Sequence, residues 1–387
     1  MGRHSKKRWV MRHNPAFKKS LVWGILIAAA VPGVLSTAVL YDHVRQSWDG
    51  LAADTAVLSA MYTVPDRAFE QLRERFAQPS DPQQPEQEQE KAQQPLIPPQ
   101  RQEEQPPPTK TQPPPEPVEI PEEYRGTVVE EDLAAAGSSL CFGSGRIKNA
   151  TSLSEQQVEE YLAQPQPFLL DRQGPQVLIM HTHATESFEP YDSEIYDTRH
   201  TWRSTDNSEN IVAAGEVMAQ AIRSHGIEVL HDDTQHDYPS YNGSYERSAE
   251  TVKEYLAKYP SIKVVLDVHR DAVQRDSTLV KPVTQINGKK AAQMMIIAGC
   301  DDGTMEMPNW GKNLRFAAGI QDAIESRWQG LTRPIFFCYR KYNQDLTTGS
   351  LLLELGSHGN TLEQVLTTAQ LAGDAIGNYL AQECMAE

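Results

Sequence analysis

Histidines and glutamates stand at or near the ends of three apolar runs far apart in this chain, and they are residue types that ligate metals and move protons. The first run, Val177-Leu-Ile-Met180, reads as a short buried strand and is followed within six positions by His181, His183 and Glu186. A second run, 262–268, leads into His269, Arg270 and Asp271, and a third, 351–355, carries Glu354 among leucines. A catalytic zinc site takes three such protein ligands and keeps one position open for water. His183, Glu186 and His269 are therefore the candidate metal ligands. A carboxylate inside a buried run is costly unless it is bonded or used. Glu354 is accordingly the candidate catalytic base, taking a proton from water and returning it to a leaving nitrogen. Arg270 or His181 is assigned to steady an oxyanion. His181 and His183 alternate along an extended stretch, so one points away from the other. His181 is the natural spare, a group behind the ligands or an alternative ligand. Asp206 and Glu209, just ahead of Asn210, compete with Glu186 for the third ligand position.

These residues can meet only if the runs that present them are neighbours. Ligands of open α/β sheets bind beyond the carboxyl ends of the strands, and parallel strands would bring all three ends to one edge. Strands are expected at 177–180, 227–230, 262–268, 294–298, 335–339 and 351–355. Helical spacing marks 151–162, 209–224, 245–258, 310–328 and 362–381. The alternation implies an α/β fold, a three-layer domain with a mainly parallel sheet, occupying 128–387. His231, Asp232, Asp233, His236 and Asp237 cluster in a loop after a strand and read as solvated loop polarity. Tyr241, Tyr245 and Arg247 either line a substrate groove or pack. There is no Gly-x-Ser-x-Gly elbow, which disfavours a serine hydrolase, and no phosphate-binding glycine loop.

The remaining third of the chain has another composition. Residues 1–19 carry Arg3, Lys6, Lys7, Arg8, Arg12, Lys18 and Lys19 and no acidic residue. The uncharged stretch 20–41 follows, and about 20 helical residues suffice to cross a ~30 Å hydrocarbon core. The basic tail keeps the N-terminus in the cytoplasm and sends the rest across the membrane, as an uncleaved signal anchor; cleavage after Ser36, Thr37 and Ala38 is the alternative. Residues 42–77 form a juxtamembrane segment with helical spacing. Residues 78–127 are a disordered linker rich in Pro, Gln and Glu, of which about 40 extended residues would reach on the order of 100 Å. Lys and Arg number 36 against 52 Asp and Glu, a formal net charge of −16, so nucleic acid is excluded as a partner. Cys141, Cys300, Cys338 and Cys384 lack the paired spacing of a cysteine metal site and are expected to be mostly free.

At the stretches Val177-Leu-Ile-Met-His-Thr-His-Ala-Thr-Glu186-Ser, 231–248, Asp267-Val-His-Arg-Asp-Ala272 and Leu351-Leu-Leu-Glu-Leu-Gly-Ser357, the sequence resembles the stage II sporulation protein P family, over about 176–380. The segment 354–360 is also similar to the closing motif of zinc N-acetylmuramoyl-L-alanine amidases, and the order His-x-x-Glu, His, Glu resembles zinc carboxypeptidases. The resemblance implies a membrane-anchored zinc enzyme. It would act on peptidoglycan during septal thinning and engulfment, cleaving between N-acetylmuramic acid and L-alanine, beside stage II sporulation proteins D and M. A zinc carboxypeptidase or endopeptidase acting on stem peptides, and a non-catalytic wall-binding scaffold, are the alternatives.

Overall fold

The computed structural model describes residues 119–138 and 140–386. The expected membrane anchor, the juxtamembrane segment and all but the last residues of the linker lie outside them. No helix among the described residues is long and apolar enough to cross a membrane.

Among the described residues, thirteen strands build two sheets. They are β1 (Arg125–Glu131), β2 (Leu140–Phe142), β3 (Gly145–Asn149), β4 (Val177–Met180), β5 (Ile195–Asp197), β6 (Val229–His231), β7 (Val264–Asp271), β8 (Gln274–Arg275), β9 (Thr278–Ile286), β10 (Lys289–Ala292), β11 (Met294–Gly299), β12 (Ile335–Cys338) and β13 (Gly349–Ser357). The helices are α1 (Glu155–Leu162), α2 (Ile211–Arg223), α3 (Ser244–Lys258), α4 (Trp310–Arg327) and α5 (Leu362–Tyr379). The main sheet runs β2-β3-β12-β11-β13-β7-β4-β6, and the smaller one β10-β9-β1-β5 with β8 beside β9.

The expectation of a mainly parallel sheet is corrected, because the sheets are mixed: six strand pairings are parallel and five antiparallel. The reason lies in how β11 is reached. β9 and β10 form a hairpin through Asn287 and Gly288, both at positive φ, the conformation that a two-residue turn of this kind requires. The chain then passes directly from β10 into β11 with no crossover helix, so β11 enters antiparallel to β13. β13, β7, β4 and β6 remain parallel neighbours, which is the part that matters for the site.

Side-chain alternation sorts the main sheet into two faces. Val177, Ile179, Leu266, Val268, Leu351, Leu353 and Ile296 join α2, α4 and α5 in the large core. On the opposite face Leu178, Met180 and Val265 pack with Val252 of α3, while Met295, Ile297 and Leu352 form another cluster. The helices are capped by their own sequence. Ser154 with Gln157, and Thr361 with Gln364, make reciprocal capping boxes, and Asn210 accepts from Val212 N. By parity, Asp267, His269 and Asp271 share the α3 face with Val265, and Glu354 shares it with Leu352.

Candidate metal centre

The turn after β4 is fixed from β7. Asp267 accepts from Thr182 N at 2.8 Å and from Thr182 Oγ1 at 2.7 Å, and Thr182 Oγ1 also meets Ser248 Oγ of α3 at 2.7 Å. Glu186 N then donates to His183 O, closing the turn so that both side chains face one way. β7 lies beside β4 and delivers His269 to the same place. The result is a buried group in which potential ligand atoms of His183, Glu186 and His269 all lie within 4.8 Å of one another. His183 Nδ1 is 3.7 Å from Glu186 Oε1 and His269 Nδ1 is 3.5 Å from Glu186 Oε2.

The far nitrogens of both rings face polar side chains. His183 Nε2 is 3.1 Å from Ser244 Oγ at the start of α3, and His269 Nε2 is 2.8 Å from Asp267 Oδ1, a short contact bent too far to be a good hydrogen bond. That leaves each Nδ1 facing the Glu186 carboxylate. Two imidazoles and a carboxylate so arranged fit a divalent cation. Burial pushes the Glu186 carboxyl up, but bonds to His183 and His269 outweigh it and hold it well below the usual range. Burial likewise opposes charge on His269, yet Asp267 and Glu186 raise its pKa well above normal. Arg270 N donates to Glu186 Oε2 at 3.1 Å, and the Arg203 guanidinium approaches Oε1 at 3.9 Å.

Glu354 of β13 pairs in register with His269. It is 9% exposed, and its Oε2 has no hydrogen-bond partner. Burial, and secondarily the nearby Asp271, pushes its pKa up to about 8. A protonatable oxygen thus stands unspent beside the three ligands.

The other residues singled out in the sequence are placed as follows. The Arg270 side chain donates to Ser187 O at 2.9 Å and Trp202 O at 3.1 Å, binding together the backbone behind Glu186. His181 points to the opposite face, its Nδ1 2.8 Å from Val268 O and its Nε2 3.0 Å from His231 Nε2; His231 Nδ1 meets Glu216 Oε2 of α2 at 2.9 Å. Burial and then His231 lower the His181 pKa to about 3. Asp206 and Glu209 are exposed, and Asp206 bonds to Ser208 in its own turn. All four cysteines are free.

One contributor, Asp267, was given no role in the sequence, and the loop residues were given a blander one. Asp267 sits inside an apolar run, as Glu354 does, and the same reasoning would have found it. The loop 231–237, expected as solvated polarity, instead buries Asp232, His236 and Asp237 and buttresses the site, because the last two side chains satisfy the turn after β4: His236 Nδ1 meets His181 O at 2.9 Å, and Asp237 accepts from Thr185 Oγ1 at 2.6 Å and from Arg203 at 2.9 Å. Tyr241 stacks on His183 with ring centroids 4.6 Å apart, and Tyr245 lies edge-on to it at 5.5 Å.

Similarity to known proteins agrees with the motifs. A match to stage II sporulation protein P of Bacillus subtilis (strain 168) is 28% identical over 244 residues, covering 59% of this chain and 57% of that relative's length. Among solved structures, the N-acetylmuramyl-L-alanine amidase Ami1 of Mycobacterium abscessus aligns at 14% identity over 53% of this chain and 98% of its own, with a TM-score of 0.31. The CwlD amidase of Clostridioides difficile, solved in complex with the GerS lipoprotein, aligns at 14% identity over 53% and 95%, also with a TM-score of 0.31. The family description "Stage II sporulation protein P (SpoIIP)" matches residues 57–377, well over half of the sequence, and the chain therefore belongs to that family.

Proposed function

We propose that this protein is a peptidoglycan hydrolase of sporulation that cleaves the amide between N-acetylmuramic acid and the L-alanine of the stem peptide, using zinc. The observation that carries the reading is the convergence of His183, Glu186 and His269 beside Glu354, whose buried Oε2 lacks a partner. The donor set suits zinc, with both Nε2 atoms engaged by Ser244 and Asp267 and both Nδ1 atoms turned toward Glu186. Zinc held there would supply Lewis acidity, polarising the scissile carbonyl and acidifying water. Glu354 takes the proton of the attacking water and passes it to the leaving nitrogen, so that the amine departs neutral. Burial raises its proton affinity, which favours taking the proton from water. Arg270 acts at one remove, as a positioning residue: its backbone N–H holds Glu186 and its guanidinium holds the backbone of Ser187 and Trp202.

In the same reading, 20–41 anchors the chain in the cell membrane with residues 1–19 in the cytoplasm, and the linker, which begins at 78 and ends short of the expected 127 because Arg125 already opens β1, lets the catalytic domain reach the wall. Stage II sporulation proteins D and M are the proposed partners. The test is mass spectrometry of purified peptidoglycan digested by the zinc-loaded protein. Intact stem peptides beginning at L-alanine, with the glycan left uncut, are expected. Shortened peptides would instead point to a carboxypeptidase or endopeptidase, and an intact wall with no bound zinc to a scaffold. Glu354→Gln should lower turnover by about 10²- to 10⁴-fold while zinc content stays stoichiometric. Unchanged turnover would remove Glu354 from its role.

A further inference from the structure

Arg203 is built into the rim of the site by the backbone around it. Glu186 and Arg203 form an antiparallel bridge, Ser204 N donates to Thr185 O at 2.9 Å, and Ser187 N donates to Trp202 O at 3.0 Å. Trp202 is held at φ 45°, a conformation that bulky residues rarely adopt and that tends to persist where the surroundings enforce it. The guanidinium is then moored: Nη1 donates to Asp237 Oδ2 at 2.9 Å, and the group lies 5.4 Å from the Tyr241 ring centroid. Asp237 also accepts from Thr185 N and Thr185 Oγ1, so its negative charge is shared among several donors. Nη2 is aimed along the Glu186 edge, 3.9 Å from Oε1.

Two other arginines near the site are turned inward. Arg270 is 6% exposed and serves backbone carbonyls, and Arg333 is 4% exposed with Nη1 on Asp271 Oδ2 at 2.8 Å. The Arg203 side chain keeps 23% of its surface in solvent, and its neighbour Tyr241 is exposed at 44%. The whole chain carries a formal net charge of −16, so a cation at the rim favours the entry of an anionic substrate.

We propose that Arg203 recognises a carboxylate on the substrate close to the scissile amide, and so sets a preference for acidic over amidated stem peptides. The inference rests on the hydrolase reading above. A planar guanidinium gives a carboxylate charge-assisted, two-pronged bonding that a carboxamide cannot match. The test uses full-length zinc-loaded protein carrying Glu354→Gln, which slows turnover, and calorimetric titration with two N-acetylmuramoyl-L-alanyl dipeptides. They differ only in whether the second residue ends in a carboxylate or a carboxamide. The carboxylate is expected to bind on the order of 10- to 100-fold tighter, and Arg203→Gln should bring the ratio close to one. Arg203→Lys, which keeps the charge without the fork, should retain an intermediate preference, and it supplies the answer if the glutamine variant does not fold. A ratio of one in the parent, or an undiminished ratio in either variant, overturns the role of Arg203. Failure of the parent to bind either ligand sinks the hydrolase reading, and this inference with it.

Discussion

Asp267 and Ser244 decide which nitrogen each imidazole has left to offer. A neutral ring that carries its proton on Nε2 presents a lone pair at Nδ1; His183 Nε2 lies against Ser244 Oγ, His269 Nε2 lies against the Asp267 charge, and both Nδ1 atoms face Glu186. The Asp267 contact with His269 is short but bent, so its charge matters more than its bond. Asp267 also holds the turn after β4 through Thr182 N and Oγ1. Asp267→Asn can keep an acceptor for Thr182 but removes the charge from His269. Zinc affinity should fall by about 10- to 100-fold, read by competition with a coloured chelator, with the far-ultraviolet circular dichroism unchanged. An unaltered affinity would show that the ring is oriented by packing alone.

At the scale of elements, one face of β4 and β7 positions the other. His181 points away from the metal ligands, yet its Nδ1 holds Val268 O, one residue before His269, while its Nε2 rests on His231 beneath α2. α2 comes this close because position 215 is glycine; an added Cβ would sit 2.4 Å from His181 Nε2 and 2.8 Å from His231 Nε2. In an isolated helix Gly→Ala would stabilise by about 1 kcal/mol. Here overpacking costs about 1–3 kcal/mol, and it acts on buried side chains with no room to yield. Gly215→Ala should therefore lower the melting temperature and weaken zinc binding together. A melting temperature that rises would mean α2 can move away without disturbing β7. The ligand-bearing strands were legible in the sequence because 177–180, 262–268 and 351–355 are nearly unbroken apolar runs ending in polar residues. The smaller sheet was not: β9 contains Lys281 and Pro282, which read against a strand. Lys281 is buried there only because Asp192 and Glu130 close over it. Such pairings join residues roughly ninety or more positions apart and leave no local trace. Arg203 on Asp237 and Tyr241 on His183, nearer in sequence, are contacts between loops and leave no local trace either.

At the scale of the molecule, the loop that links the site to the smaller sheet buries a second unusual carboxylate. Glu189 N donates to Asn360 O, and its Oε1 accepts from Trp202 Nε1 at 2.5 Å. Burial pushes its pKa up to about 7; Asp197 adds to the rise, and the Trp202 bond and Lys281 oppose it. Packed on the same Trp202, His358 is fully buried with neither ring nitrogen hydrogen-bonded. Burial, and then Arg270, lowers its pKa to about 3. The two groups limit stability from opposite sides. Between about pH 4.5 and 7 the folded chain keeps the Glu189 proton that the unfolded chain releases, so stability falls as pH rises, by up to about 3 kcal/mol. Below about pH 6.5 the unfolded chain protonates His358 while the folded chain resists down to about 3, so stability falls as pH drops. Glu189→Gln keeps an acceptor for Trp202 and cannot ionise. The substitution should raise the melting temperature at pH 8, where the parent carries the buried charge, and change it little at pH 5, where the parent is largely protonated. Calorimetric scans of both proteins at the two pH values check this, and an equal shift at both would show that packing, not ionisation, governs the site.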